Sequence, residues 1–357
     1  MFHDLLMDIE KSLATRTVEE RTTTAALHGA GESSSSGNGG GCDADGKVVP
    51  QAGKDRDRGL TGAVFPTPVP VAFHVTEYDV VKGQYPESWE DYAGYIIPGG
   101  VASACGDEPW MKTLLSEVQG LRDSGRPVLA FCLGHQVIAQ ALGGLVRQRT
   151  GPRKHYALQE SELLLRAPPH EQNGAKNGVV VDRSTEAARS VVLDAVASIR
   201  RQHKRGGGAV VMQEGDHDDL TTSPVTMRLL YHHNDEVVKL PPGASNISTS
   251  RHCNIHGMIM MKTDATGDNG PAQQPNLLSF QAHPELNYEY GRRVMDGLLD
   301  SDVTAGRLTH EKARRLKEQV SAWDHTEFPI ALELMRKVLE PTVAQRRNGG
   351  GERDQRG

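Results

Sequence analysis

The amino-acid sequence predicts an α/β fold built on a doubly wound, mostly parallel β-sheet with helices on both faces. The first observation is an alternation of strand-like and helix-like segments between residues 94 and 142, which is the pattern of a parallel sheet covered by helices. The second is a single cysteine, Cys132, at the point where an apolar run becomes a helix-like pattern. In sheets of this kind, ligand binding and catalysis gather where the strands end.

Three segments before Cys132 have the composition of strands, and one segment after it has the pattern of a helix. Residues 71–80 are rich in Val and aromatic residues, residues 94–100 are a short apolar run ending in Pro-Gly-Gly, and residues 127–131 read PVLAF. Such runs are typical of strands, the last of them a buried one. Residues 134–142 then form the predicted helix.

The segment between the second and third of these strands is predicted to be a helix, because its apolar residues recur with a period near 3.6. Asp107 is a candidate N-cap, Pro109 suits the first turn and Gly125 is a candidate C-terminal stop. Further along the chain we expect two strands and three helices, at residues 227–233 and 276–283 and at residues 288–299, 309–322 and 327–339.

The composition excludes several classes of protein. The chain has 357 residues, 37% of them hydrophobic, and a net charge of −6 with no long basic run, so nucleic acid is not an expected partner. No apolar stretch approaches the roughly 18–20 residues that span a bilayer, and we expect no membrane association. The N-terminus lacks the pattern of a signal or transit peptide. The four cysteines are widely spread, so reduced thiols in the cytosol are expected.

Cys132 has two interpretations, a thiol buried in the core or a nucleophile on a sharp strand-to-helix turn, known as a nucleophile elbow. The positive end of the helix dipole would favour a thiolate at this position. The backbone N–H of Leu133 would point towards an oxyanion. Gly99 and Gly100 end a neighbouring strand and lack side chains, so their backbone N–H groups can approach the same place.

The sequence FQAHPEL, residues 280–286, supplies the base that a nucleophile needs. His283 and Glu285 are two residues apart at the end of an apolar run, and in an extended chain such residues project to the same side. The carboxylate could orient the imidazole ring and stabilise its protonated form, as the third member of a catalytic triad does. Together, the cysteine and this pair favour the nucleophile interpretation.

These motifs resemble those of a known family, the class I (triad-type) glutamine amidotransferases. FCLGHQ, with its C-x-G-x-Q core, is similar to the family's nucleophile motif, and HPE is similar to its His/Glu motif. The segments PGGVASACGDEPWMKTL, HHNDEVVKLPPGA and STSRHCNIHG resemble the stand-alone subgroup, which is related to the amidotransferase domain of GMP synthase and to γ-glutamyl peptidases. The resemblance covers roughly residues 70–165 and 225–340, and it implies a flavodoxin-like fold.

The resemblance also implies a role for each site residue. Cys132 would attack a γ-carboxamide, His283 would transfer the proton and Glu285 would orient His283. Gln136 would contact the glutamyl substrate, and the oxyanion hole would be formed by residues Gly99, Gly100 and Leu133. No cofactor and no metal is implied, and the substrate would be a small molecule, glutamine or a γ-glutamyl peptide.

The chain departs from the family pattern in three places. Ala130 stands two residues before the nucleophile, where the family usually has Gly, and we expect it to leave the elbow intact. Residues 1–27 resemble the family's first helix, with no strand ahead of them, so the sheet is expected either to lack its first strand or to begin upstream of the given sequence. Residues 28–65 and about 167–222 have the composition of inserted segments.

The resulting domain organisation has a long catalytic domain interrupted by low-complexity sequence. We expect an amidotransferase-like domain at residues 66–342, a disordered insertion at 28–65 and a disordered tail at 343–357. The insertion at about 167–222 is expected at the surface, with a candidate helix from Ser184 to Arg201. No metal site is expected, because the histidines near Asp235 and the group His252, Cys253 and His256 lack paired zinc spacing. Asp235 is expected to support a loop on the substrate side.

Several functions fit this sequence. The leading hypothesis is a hydrolase of γ-glutamyl amide bonds that acts alone, because no synthase domain is recognised in the chain. A second is a glutaminase subunit that supplies ammonia to a separate synthase partner. A third is a non-catalytic binding module of the same fold, and a fourth is a cysteine hydrolase whose third catalytic residue lies elsewhere.

Overall fold

The structure is a computed structural model, and it describes residues 73–148, 155–165, 183–206, 225–250, 253–262, 274–286, 288–323 and 328–349. Its strands are β1 (Tyr95–Ile97), β2 (Val128–Phe131), β3 (Leu145–Gln148), β4 (His155–Leu163), β5 (Val225–His233), β6 (Asp235–Lys239), β7 (Ala244–Thr249), β8 (Gly257–Met261) and β9 (Pro275–Phe280). Its α-helices are α1 (Pro109–Asp123), α2 (Leu133–Ala141), α3 (Arg183–Gly206), α4 (Tyr288–Thr304), α5 (His310–Ser321) and α6 (Phe328–Gly349).

Seven of these strands form one mixed sheet in the order β1-β2-β9-β8-β7-β4-β5, and β3 and β6 form a separate antiparallel pair. Strands β1, β2 and β9 are parallel, with Ala130 opposite Ser279 and Phe131 opposite Phe280. The remaining pairs of this sheet are antiparallel. The predicted α/β class is therefore confirmed, and among the described strands the parallel part consists of β1, β2 and β9, with Cys132 directly after β2.

Helices cover both faces of the sheet. Alternate residues of β2 and β9, among them Val128, Ala130 and Leu277, pack with α1 and α2 in one hydrophobic cluster. The intervening residues, such as Leu129 and Leu278, are fully buried and face the other side, because successive strand residues point to opposite faces. Helices α3 and α6 pack against each other and against the strands from that side. Burial on both faces explains the continuous apolar run of β2.

The strand predicted at residues 71–80 is wrong for the residues that the structure describes. Residues 73–79 belong to no strand, and Val80–Lys82 form a short 3-10 helix. The side chain of Asp79 accepts hydrogen bonds from the N–H groups of Val81 and Lys82, and Gly83 ends the turn with a φ of 73°. A capping aspartate and a left-handed glycine here outweigh the strand propensity of the valines.

The predicted first helix is confirmed, with a correction at its start. Glu108, and not Asp107, precedes α1, and it makes no side-chain capping bond. Asp107 instead forms an exposed ion pair with Lys112, at 3.1 Å. Pro109 lies in the first turn, and Gly125 follows the C-cap residue Ser124 with a φ of 63°, as the sequence predicted.

Helix α3 lies within the segment predicted to be a surface insertion, and the surface prediction is wrong for this helix. The helix itself was expected, and it runs from Arg183 to Gly206. It packs against β7, β8 and α6. The buried residues recur at helical spacing and belong to the core: Ala188, Val192, Ala195, Val196 and Ile199.

The C-terminal boundary also differs from its prediction, because α6 continues to Gly349 and includes residues 343–349 of the predicted disordered tail. The expected helix at residues 1–27, the insertion at 28–65 and the question of a first strand lie outside the described residues. Within the part of the chain that the structure describes, no helix is both long and apolar enough to cross a bilayer.

Candidate active site

Cys132 lies on a sharp turn between β2 and α2. Its φ of 50° and ψ of −104° make it the one described residue other than glycine with a positive φ. Its N–H donates to the carbonyl oxygen of Phe280 at 2.8 Å, which ties the turn to β9. Because a positive φ costs roughly 1–3 kcal/mol for a residue with a side chain, it persists only where surrounding contacts enforce it. This is the geometry of a nucleophile elbow.

Gly134 allows this turn to lie against the neighbouring strand. A Cβ atom at this position would lie 2.1 Å from the carbonyl oxygen of Ile97 in β1, so only glycine fits without a shift of the backbone. Ala130, the departure from the family pattern, is fully buried within the cluster of α1 and α2. Its methyl group is accommodated there, and the elbow forms in its presence.

His283 and Glu285 form a hydrogen-bonded pair at the end of β9. The Nδ1 atom of His283 lies 2.8 Å from Oε1 of Glu285, and the Glu285 side chain is buried. The His283 N–H donates to the carbonyl oxygen of Leu230 in β5 at 2.9 Å. The backbone of β5 therefore holds the pair in place.

The pKa of His283 lies well above its ordinary value of 6.5. Burial alone would lower this pKa, because it disfavours the charged imidazolium. The negative charge of Cys132, followed by that of Glu285, and hydrogen bonds to both side chains together raise it. Cys132, which the sequence predicted to act with His283, therefore lies close enough in the fold to raise the pKa of its ring.

The two glycines after β1 lie against this site. A Cβ atom at Gly99 would lie 2.7 Å from Cε1 of His283 and 3.3 Å from Cβ of Cys132. A Cβ atom at Gly100 would lie 2.8 Å from Cδ2 of Leu133. The structure therefore brings the predicted glycine pair, Leu133 and the Cys-His pair together, and any side chain at Gly99 would displace the imidazole ring.

Gln136 lies one helical turn after Cys132 and is buried. Its Nε2 atom donates to the carbonyl oxygen of Asp235 at 2.9 Å and to Oε1 of Gln281 at 3.2 Å. These bonds connect α2 to β6 and to the end of β9. Hydrogen bonds to other groups of the protein therefore fix the Gln136 side chain, which was predicted to contact the substrate.

Three contacts at the site were not predicted from the sequence. The hydroxyl of Ser103 donates to the carboxylate of Asp235. The carbonyl oxygen of His232 lies 3.7 Å from Sγ of Cys132. The imidazole Nε2 of His232 lies 3.3 Å from Oδ2 of Asp302 in α4. All three contacts join residues far apart in the chain, and no local pattern in the sequence signals them.

The histidines and the other cysteines form no metal centre among the described residues. The buried His256 ring packs on Tyr231 with centroids 4.7 Å apart, and the Cys253 thiol donates to the carbonyl oxygen of Ile255. Burial lowers the pKa of His135 to about 3, so its ring is neutral, and its Nδ1 lies 2.8 Å from the hydroxyl of Ser279. His252 lies outside the described residues.

The sequence is similar to a family of known proteins. The family model for class I glutamine amidotransferases matches residues 69–295. The chain is 23% identical to gamma-glutamyl peptidase 3 of Arabidopsis thaliana over 62% of this chain and 67% of that protein. It is 41% identical to gamma-glutamyl peptidase 4 of the same plant over 78 residues, so the match spans 21% of this chain and only 31% of that relative.

A solved glutamine amidotransferase from Thermotoga maritima is 17% identical, with a TM-score of 0.44, over 74% of this chain and 85% of that structure. The family model covers well over half of the sequence, in the region where the elbow, the His-Glu pair and the glycine pair meet. On that match, this chain belongs to the class I glutamine amidotransferase family.

Proposed function

We propose that this protein hydrolyses γ-glutamyl amide bonds through a Cys-His-Glu triad formed by Cys132, His283 and Glu285. The observation that carries the proposal is the position of Cys132 on a strained elbow, beside an imidazole whose pKa its charge raises. In this arrangement His283 would accept the thiol proton of Cys132, and the imidazolium that forms would stabilise the thiolate. A thiolate of this kind is the nucleophilic form of cysteine.

In the first half of the proposed reaction, Sγ of Cys132 attacks the γ-carbonyl carbon of the substrate. A C–S bond forms, and the carbonyl oxygen becomes an oxyanion. The backbone N–H of Leu133 and those of Gly99 and Gly100 would donate to it, as in other oxyanion holes. His283 then transfers its proton to the leaving nitrogen, the C–N bond breaks, and ammonia or an amine departs from a γ-glutamyl thioester.

In the second half, water attacks the thioester carbon. His283, now neutral, accepts a proton from this water, and Glu285 stabilises the imidazolium that forms. The C–S bond breaks to release glutamate and the Cys132 thiolate, so the reaction consumes one water molecule and requires no cofactor. We place the reaction in the cytosol, where reducing conditions keep a thiolate free.

We assign Gln136 to the binding of the glutamyl part of the substrate. Its amide nitrogen is bonded to Asp235 and Gln281, which fixes the orientation of the carboxamide. Its oxygen would then accept from the α-ammonium group that glutamine and γ-glutamyl peptides share. The names of the two Arabidopsis relatives, gamma-glutamyl peptidases, favour a γ-glutamyl peptide over free glutamine.

The test incubates the protein with glutathione and, separately, with glutamine, and measures released Cys-Gly and ammonia. We expect the wild type to turn over glutathione. In Cys132→Ala the rate of Cys-Gly release should fall by at least roughly 10³-fold. Cys105→Ser is the matched control, because Cys105 is an exposed thiol that donates to the Val146 carbonyl oxygen, a bond that serine can keep.

The outcomes separate the hypotheses that the sequence left open. Ammonia from glutamine with no turnover of glutathione would favour a glutaminase that feeds a synthase. Equal release by wild type and Cys132→Ala would show that Cys132 is not the nucleophile. A folded protein that turns over neither substrate would favour the non-catalytic module.

A further inference from the structure

Asp235, at the start of β6, connects three segments that meet at the site. Its carboxylate accepts from the hydroxyl of Ser103. Its backbone oxygen accepts from Nε2 of Gln136, at 2.9 Å, and contacts Nδ1 of His233, at 2.8 Å. The residue is buried, so these bonds are shielded from competition with water.

Ser103 lies three residues after Gly100, and it organises the turn that follows the glycine pair. Besides its bond to Asp235, its hydroxyl oxygen accepts from the N–H of Cys105 at 3.1 Å. Its carbonyl oxygen accepts from the N–H of Gly106 at 3.0 Å. The hydroxyl is therefore the point at which this turn is fastened to β6.

Of the two residues between the glycine pair and Ser103, Ala102 is partly buried against the cluster of α1 and α2, and the other is exposed. Gly99 and Gly100 have no side chains, and Val101 is 96% exposed. Glycine also gives the backbone more conformational freedom than any other residue. Beyond the apolar packing of Ala102 and of the buried Ala104, the Ser103–Asp235 bond is thus the first side-chain hydrogen bond after β1 among the described residues.

We propose that Ser103 and Asp235 are positioning residues that hold the backbone donors of Gly99 and Gly100 beside Cys132. The inference rests on the proposed hydrolase function, because it assigns those donors to the oxyanion. Removing one oxyanion donor costs roughly 10²–10³-fold in kcat. If the loop is loosened but its donors remain, kcat should fall by less, and we expect a decrease of about 10-fold.

The test compares Ser103→Ala, which removes the hydroxyl, with Ser103→Thr, which keeps it. Two measurements are made on the full chain: hydrogen exchange of residues 99–106, and kcat and KM with glutathione. We expect faster exchange at residues 99–106 and a kcat lowered about 10-fold at similar KM in Ser103→Ala. Ser103→Thr should restore both. Thr113→Ala, at an exposed hydroxyl bonded only within α1, is the matched control.

Exchange reports on the loop whether or not the protein turns over a substrate, so the positioning role and the proposed function are tested separately. Unchanged exchange at residues 99–106 in Ser103→Ala would overturn the positioning role. Faster exchange throughout α2 and β2 would also overturn it, because the serine would then support the fold in general. An inactive wild type whose loop loosens only in Ser103→Ala would overturn the hydrolase and leave the positioning role standing.

Discussion

At the scale of single residues, the site depends on opposing effects at His283. Burial lowers the pKa of its imidazole, and the charges of Cys132 and Glu285 raise it further than burial lowers it. A fully buried histidine without such partners behaves in the opposite way, because burial lowers the pKa of His135 to about 3. The two pKa values therefore shift in opposite directions, because only His283 has anionic neighbours.

Glu285→Gln tests this balance. The substitution removes one of the charges that raise the pKa of His283, so we expect this pKa to fall, as measured by NMR titration of the His283 ring. The amide also favours the wrong tautomer, and kcat should fall by roughly 10²-fold or more. An unchanged titration of His283 would contradict the assigned role of Glu285.

The raised pKa of His283 also predicts how the stability of the protein depends on pH, and Glu285→Gln tests this prediction as well. Because the folded state raises the pKa of His283, its protonated form stabilises the fold fully below the unfolded value of 6.5, and this contribution is lost as the pH rises through the folded pKa. Urea unfolding should therefore separate wild type from Glu285→Gln more at pH 6 than at alkaline pH. A difference that grows with pH would contradict this sign.

At the scale of elements, the elbow requires close approach of β1 and the start of α2. Residue 134 lies in the first turn of α2, and its Cα faces the backbone of Ile97. A rigid contact between two backbones cannot relax by rotation of a side chain. The strained φ of Cys132 and the glycine two residues later both belong to the turn that brings α2 against β1.

Gly134→Ala should destabilise the protein by roughly 3 kcal/mol, because its Cβ would overlap the Ile97 carbonyl group. The measurement is the free energy of unfolding in urea. Gly297→Ala is the matched control, since residue 297 lies within α4 and an added Cβ atom there would have no neighbour within 4 Å. It should stabilise the protein by about 0.5–1 kcal/mol. Equal effects of the two substitutions would refute the close contact.

At the scale of the whole molecule, α3 shows that low-complexity sequence can flank a helix of the core. The helix is bordered by Gly- and Lys-rich stretches, yet its apolar face packs against β7, β8 and α6. It helps to cover the face of the sheet opposite to α1 and α2. A deletion of residues 167–222 would therefore remove part of the core.

Val192→Asp should destabilise the protein by roughly 3 kcal/mol or more, because Val192 is fully buried in α3 and an unpaired charge would enter the core. Ser190→Asp, on the exposed side of the same helix, should change the free energy of unfolding by less than about 0.5 kcal/mol. Similar unfolding curves for the two variants would show that α3 does not contribute to the core.

The sequence by itself determined the elements whose signals are local. The period of α1, the apolar run of β2, the glycine after Cys132 and the spacing of His283 and Glu285 all report on neighbours within a few residues. Short-range sterics and capping decide such features, so the elbow and the His-Glu pair could be predicted. The prediction of a strand at residues 71–80 was wrong because a capping aspartate and a glycine outweighed the strand propensity of the valines.

Only the tertiary structure decided which of these pieces meet. Ser103 and Asp235 are 132 positions apart, the sheet turns antiparallel beyond β9, and α3 lies in the core although its flanks resemble linker sequence. Contacts of this kind arise when separate elements bury apolar surface together and satisfy their polar groups in the same space. Nothing in the local chain encodes that choice of partners, which is why the elbow and the His283–Glu285 pair could be predicted from the sequence and their supporting bonds could not.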